Sequence, residues 1–90
     1  MAKRVAFTVH GTVQGVCFRD FTRKKATSYG LTGFVRNTSD GKVKGEAQGE
    51  EDSLKKLKGD LNEGPRAAHV VKLEFKEIDS KDGESSFIAS

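Results

Sequence analysis

The stretch Val5-Ala6-Phe7-Thr8-Val9-His10-Gly11-Thr12-Val13-Gln14-Gly15-Val16-Cys17-Phe18-Arg19 decides the fold. Val5, Phe7 and Val9 alternate with Arg4, Ala6, Thr8 and His10, a period of two that predicts a half-buried strand. The strand runs into a loop bracketed by Gly11 and Gly15. Beyond it Phe18, Phe21 (or Thr22), Ala26 and Tyr29 recur at helical spacing. Asp20 stands in the first turn, Arg23 to Lys25 follow, and Gly30 can close the helix, so a helix is predicted over about 19–29.

Working outward, a second strand is predicted over about 32–38 through Phe34 and Val35. Asp40-Gly41 is the strongest hairpin signal in the chain. The third strand follows, with Val43, Gly45 and Ala47 on one face and Lys44, Glu46 and Gln48 on the other. A helix is predicted over about 51–62, with Leu54, Leu57 and Leu61 as its apolar stripe and Gly64-Pro65 as its stop. Its first turn is acidic and its later turns basic, as the helix dipole prefers. Val71, Leu73 and Phe75 alternate in a fourth strand over about 69–78. Asp79 to Ser86 reads as a polar turn, and Phe87-Ile88 as a short edge strand. The order β-α-β-β-α-β, with an extra strand, is the α+β split-βαβ pattern: a ferredoxin-like sandwich with two helices on one face of an antiparallel sheet.

The bulk composition sets limits. Ninety residues argue for one domain, 1–90, with a modest core that buries roughly 60–65% of the unfolded surface. Hydrophobic residues make up 34% and charged residues 32%, and the apolar ones fall in periodic runs, unlike a disordered chain. A net charge of +3 suits a small anionic substrate and is too weak to argue for nucleic acid. The single cysteine, Cys17, excludes an intrachain disulfide and a cysteine-rich metal site. No stretch reaches the ~18–20 apolar residues that span a membrane, and none resembles a signal peptide. The expected setting is therefore the cytoplasm.

The topology brings two distant places together. A crossover helix makes the first and second strands point the same way, so the loop after the first strand and Arg36-Asn37-Thr38 lie at one end of the sheet. The residues that open the helix have N–H groups without intrahelical partners. Gly15 permits close approach of the backbone to a ligand. Together these make an anion nest out of Gln14, Gly15, Val16, Cys17 and Phe18, with Arg19 at its lip. A guanidinium matches phosphate oxygens with planar, paired donors. Taken alone, a glycine loop before a helix is a weak signal, and a plain loop is the alternative. An asparagine near a turn is usually turn chemistry. If Asn37 faces the nest, its amide both donates and accepts, which suits a residue holding a water in line with phosphorus. Phosphoryl transfer asks for positioning more than for a strong base.

Two motifs carry a resemblance. The first is Gly11-x-Val13-Gln14-Gly15-Val16-x-Phe18-Arg19, and the second is Gly30-Leu31-x-Gly33-Phe34-Val35-x-Asn37-x-x-Asp40-Gly41-x-Val43, followed by Gly49. Together they resemble the acylphosphatase family, densely over residues 5–49 and as an order of elements beyond. The resemblance implies a ferredoxin-like fold and hydrolysis of a small-molecule acyl phosphate to a carboxylate and inorganic phosphate. It also implies that Arg19 and the loop amides bind the phosphoryl group, that Asn37 orients the attacking water, and that neither metal nor cofactor is required. A phosphate oxygen taking the water's proton would fit the lack of an obvious base in either motif. Thr38 is expected to support the orientation of Asn37. The chain departs from the family in two places. Phe34 stands where many members carry tryptophan, which should preserve packing. Phe87-Ile88-Ala89-Ser90 stands where many end in an arginine-tyrosine pair, which leaves the anchoring of the last strand open.

The sharper residues also have plain readings. Cys17 lies two residues before Arg19, too near for a phosphatase loop with a thiolate nucleophile, so it is read as a small packed side chain. His10 and His69 lack ligand partners at useful spacing and are read as surface residues. Phe18, Phe21 and Tyr29 are read as core. Two other functions are weighed. One is an RNA-binding module on the open sheet face, against which stand the missing glycine-aromatic signature and the phasing of Phe7 with the core. The other is a related domain that does not serve as a general enzyme. The expectation is a monomer without nucleic-acid or membrane partners.

Overall fold

The computed structural model describes residues 2–14 and 17–90. Its elements are β1 (Lys3–Thr12), α1 (Phe18–Ser28), β2 (Thr32–Asn37), β3 (Val43–Gly49), α2 (Glu51–Glu63), β4 (His69–Ile78) and β5 (Phe87–Ala89). The strands form one sheet in the order β4-β1-β3-β2-β5. β3 lies antiparallel between β1 and β2, so these two point the same way, as the crossover through α1 requires.

The helices and the sheet share one core. Val5, Phe7 and Val9 of β1 are buried with Val35, Val43 and Ala47 of the neighbouring strands. Leu54, Leu57 and Leu61 form the buried stripe of α2. On α1 the buried positions are Phe18, Thr22 and Ala26. Of the two candidates for the second of these, Thr22 is the buried one. Its hydroxyl donates to the Phe18 carbonyl at 2.8 Å, which satisfies the polar atom within the helix. Phe21 meets the Phe18 ring edge-on with centroids 5.8 Å apart. Tyr29 packs at the core boundary, and its hydroxyl donates to Asp60 of α2, joining the helices.

Three features depart from the expectations. The sheet is mixed, because β5 pairs in parallel with β2. The chain leaves β4 at the end of the sheet where β1 and β2 begin and crosses there to the far edge. β5 can then only run antiparallel to β4, which is the direction of β2. Second, Val71 does not continue the inward face with Leu73 and Phe75, because it is 70% exposed. The β1–β4 register shifts between His10 and Gly11, so Lys72 opposes His10 while Val70 opposes Gly11. The bulge leaves Val71 unpaired and turns Val70 onto the core instead. Gly11 is required at this point. Its φ is 134°, and a Cβ there would lie 2.0 Å from the His69 carbonyl oxygen. Third, Arg4 sits on the polar phase of β1 yet is buried, because the crossover between β4 and β5 lies over it.

Candidate functional site

The end of β1, the start of α1, the end of β2 and the end of β5 enclose one cavity of about 470 Å³. Val13 and Phe18, both buried, give it apolar walls. Cys17, Arg19 and Asp20 line it from the opening of α1, Asn37 from β2, and Ala89 from β5. The predicted pair, Arg19 and Asn37, is thus brought to one cavity from positions 18 residues apart. Gly15 and Val16, also predicted for the anion loop, lie outside the described residues.

α1 begins without a side-chain cap. Its first backbone bond runs from the Phe21 N–H to the Cys17 carbonyl at 2.9 Å. The N–H groups of its first turn are the positive end of the helix dipole and are suited to an anion. Cys17 holds the N-cap position in the left-handed region, with φ 61° and ψ 25°. Such a conformation is costly for a residue with a side chain. Cys17 is exposed, and the expectation of a packed side chain is corrected. The left-handed turn directs the side chain to the cavity mouth, which no spacing rule in the sequence reveals.

Asp20 is the acidic group that an anion would meet. Its carboxylate is engaged by Arg23 at 2.8 Å and Lys24 at 3.1 Å, one turn along the helix. The hydrogen bond from Arg23, then that from Lys24, holds its pKa below the ordinary carboxylate value. Two cations thus offset the charge of Asp20 at the cavity edge.

Arg19 is exposed, and its Nη1 donates to the Ser90 backbone carbonyl at 2.5 Å. The Ser90 N–H in turn donates to the Val35 carbonyl at 3.0 Å. With Phe87 buried against the core, these contacts anchor the last strand without an arginine-tyrosine pair. A guanidinium has five N–H donors, so one bond to Ser90 leaves the others for a ligand.

Asn37 occupies the last paired position of β2, opposite Val43. It shares the phase of buried Val35, whereas Arg36 between them is exposed. The hairpin beyond it is closed by the Thr38 N–H donating to the Lys42 carbonyl at 2.8 Å and by the Lys42 N–H donating to Thr38 Oγ1 at 3.0 Å. The Thr38 hydroxyl donates to Asp40, so it serves the turn and not the Asn37 side chain. The Lys42 ammonium, 2.7 Å from Asp40, and then the Thr38 hydroxyl hold the Asp40 carboxyl down at about 2.

Gln14 has a job that the sequence alone did not reveal. Its Nε2 donates to the carbonyls of Thr38 at 2.7 Å and Lys42 at 2.9 Å. The side chain is therefore occupied by the hairpin and ties the β1 loop to the strand that carries Asn37. Of the two histidines read as surface residues, His69 is exposed, whereas His10 is half-buried and meets Glu74 at 2.5 Å.

Among the described residues no three His, Cys, Asp or Glu side chains cluster to hold a metal ion. No helix in the described residues is long and apolar enough to cross a membrane.

The acylphosphatase family's sequence profile matches residues 5–89, a span that includes both motifs and the residues that line the cavity. An acylphosphatase of Salinibacter ruber is 45% identical over 85 residues, covering 94% of this chain and 90% of its own. One of Clostridium acetobutylicum is 41% identical over 87 residues, covering 97% of this chain and 96% of its own. The solved acylphosphatase of Coxiella burnetii superposes with a TM-score of 0.94 at 43% identity, over 99% of this chain and 93% of its own. Likeness of this depth extends from the glycine loop through the crossover to β5, and the chain belongs to the acylphosphatase family.

Proposed function

We propose that this chain hydrolyses the carboxyl–phosphate bond of small acyl phosphates, with Arg19 and the loop from Gln14 to Phe18 binding the phosphoryl group and Asn37 placing the water. The observation that carries the reading is the shared cavity of Arg19 and Asn37 at the uncapped start of α1. The phosphoryl oxygens sit against the first N–H groups of α1 and the open donors of the Arg19 guanidinium. These donors are fixed before the substrate arrives, so charge that grows on the phosphoryl oxygens meets dipoles that need no reorganisation. The Asn37 amide oxygen accepts a hydrogen from a water held in line with the P–O bond to the acyl group. Thr38 supports Asn37 through the closed hairpin and not by direct contact.

In the chemical step the water oxygen bonds to phosphorus and the bond from phosphorus to the acyl oxygen breaks. The carboxylate leaves with the electron pair. Because a carboxylate is a good leaving group, no general acid is required. The water's proton passes to a phosphoryl oxygen of the substrate. Asp20, the one side-chain carboxylate among the described residues that line the cavity, is committed to Arg23 and Lys24 and is a poor acceptor. The products are a carboxylate and inorganic phosphate.

The chain is proposed to act as a cytoplasmic monomer on soluble substrates, without nucleic-acid or membrane partners. This is supported by exposed large apolar side chains that are few among the described residues, Val71 on the bulge and Ile88 on the edge strand.

Hydrolysis of benzoyl phosphate with EDTA present tests the reading. Turnover is expected in the wild type and a loss of about 10²-fold or more in folded Arg19→Ala and Asn37→Ala variants. A folded wild type without turnover would leave an anion-binding domain and overturn the proposal.

A further inference from the structure

Arg4 is 1% exposed, and four of its five guanidinium N–H donors are engaged. Nε donates to Glu46 at 2.7 Å and Nη1 to the Gln48 amide oxygen at 3.2 Å. Nη1 and Nη2 grip the two oxygens of Glu84 at 2.7 and 3.2 Å. Gln48 holds the same crossover a second time, accepting from the Lys81 N–H and donating to the Lys81 carbonyl, each at 2.8 Å. Side chains of β1 and β3 thus pin the chain between β4 and β5 at two points.

What the pin controls lies just beyond it. From Glu84 to Phe87 the chain can reach no more than ~11 Å, so holding Glu84 limits where β5 can start. β5 is only three residues long. Two of its side chains face the core, Phe87 buried and Ala89 partly so, and Ile88 is 57% exposed, so only two inward contacts specify its register from within the strand. The observed register pairs Gly33 with Phe87 and Val35 with Ala89. A slip of one residue would turn Phe87 to the opposite face and carry Ser90 away from Arg19. A buried ion pair is a weak source of net stability, because apolar replacements often do as well. The register it imposes is the contribution an apolar pair would not make.

We propose that the Arg4–Glu84 ion pair positions the phosphoryl-binding site: it sets the register of β5 and so places the Ser90 carbonyl that orients Arg19. The proposal rests on Arg19 binding the phosphoryl group. Arg4 and Glu84 touch no reacting atom and are positioning residues.

The test compares wild type, Glu84→Gln, Gln48→Ala and Arg19→Ala. It reads the Kd for inorganic phosphate, the nitrogen-15 NMR resonance of Arg19 Nε where Arg19 is present, and the thermal midpoint. Glu84→Gln keeps the shape of the side chain and removes its charge, and Gln48→Ala releases Lys81 and takes one acceptor from Arg4, so each variant loosens the hold on the crossover. The expected result is a roughly three- to tenfold rise in phosphate Kd and a shifted Arg19 resonance in both. A lower thermal midpoint with unchanged Kd and resonance would reduce the pair to a brace and overturn the proposal. A raised Kd with an unmoved Arg19 resonance would do the same. If Arg19→Ala itself leaves phosphate binding intact, the role of Arg19 fails, and the positioning role fails with it. If Arg19→Ala abolishes binding while the other two variants bind like wild type, only the positioning role fails.

Discussion

Gln14 Nε2 stands 2.7 Å from the Thr38 carbonyl oxygen, a bond across 24 positions that ties the loop after β1 to the end of β2. The same amide reaches Lys42 at 2.9 Å, so both sides of the hairpin are held by one side chain. A residue without the amide takes this bond away from both carbonyls. Gln14→Leu is expected to lower kcat/KM by about tenfold or more, because a small displacement of Asn37 misplaces the water. Stability should fall by only about 1–3 kcal/mol, the worth of two hydrogen bonds. Benzoyl phosphate kinetics beside urea denaturation would check both. A stability loss without a kinetic one would show that the latch does not reach Asn37.

Cys17 invites a separate prediction. Its φ of 61° costs a residue with a side chain about 1–2 kcal/mol, and glycine adopts it without strain. Glycine gives part of that back through its more flexible unfolded chain. Cys17→Gly is therefore expected to stabilise the fold by up to about 1 kcal/mol in urea titrations. Cys17→Ser should retain turnover, since the exposed thiol has no part in the proposed reaction. Loss of nearly all activity in the serine variant would make the thiol a participant.

The pH dependence of the hairpin follows from Asp40. Its carboxyl is held at about 2 against an ordinary 3.8, chiefly by Lys42 and then by Thr38. A depressed folded pKa means that the stabilisation is present above the unfolded value and disappears as the pH falls through the folded one. Asp40→Asn is thus expected to be less stable than wild type at pH 7. The gap should narrow between pH 4 and 2 and close below that range. Denaturation midpoints of both proteins across that range give the measurement. A gap that does not change with pH would mean that the carboxylate's charge contributes nothing.

These residues also mark how far the sequence could be read. The strands and helices follow from periods of two and 3.6, and α2 and β4 fall within a residue of where the pattern puts them. The juxtaposition of Arg19 and Asn37 was legible too, because a strand-helix-strand unit brings such ends together. What stayed hidden depends on distant partners. Arg4 reads as a surface residue of an alternating strand, and it is buried only because Glu84, 80 positions away, closes over it. Val71 reads as core until the bulge at Gly11 removes it from the pairing. The left-handed turn at Cys17 has no compositional sign, since the residue is neither glycine nor asparagine.

Two glycines in regular elements should respond oppositely to the same substitution. Gly59 lies in α2 with nothing within 4 Å of where a Cβ would stand. Alanine there loses less chain entropy on folding and should stabilise by about 0.5–1 kcal/mol. Gly45 lies in β3, where a Cβ would come 2.2 Å from the Phe34 carbonyl oxygen and 2.7 Å from the Phe7 ring. The first of these is backbone and cannot swing aside, and Phe7 is packed in the core. Gly45→Ala should therefore cost about 1–3 kcal/mol or more through forced shifts in β2 and the core. Because β2 carries Asn37, the kinetic loss should exceed what the fraction unfolded explains. Thermal melts of the two alanine variants give the sign of each effect. A tolerated Gly45→Ala would mean that β2 and β3 can separate without disturbing the site, and the placement of Asn37 by the β2–β3 pairing would then fail.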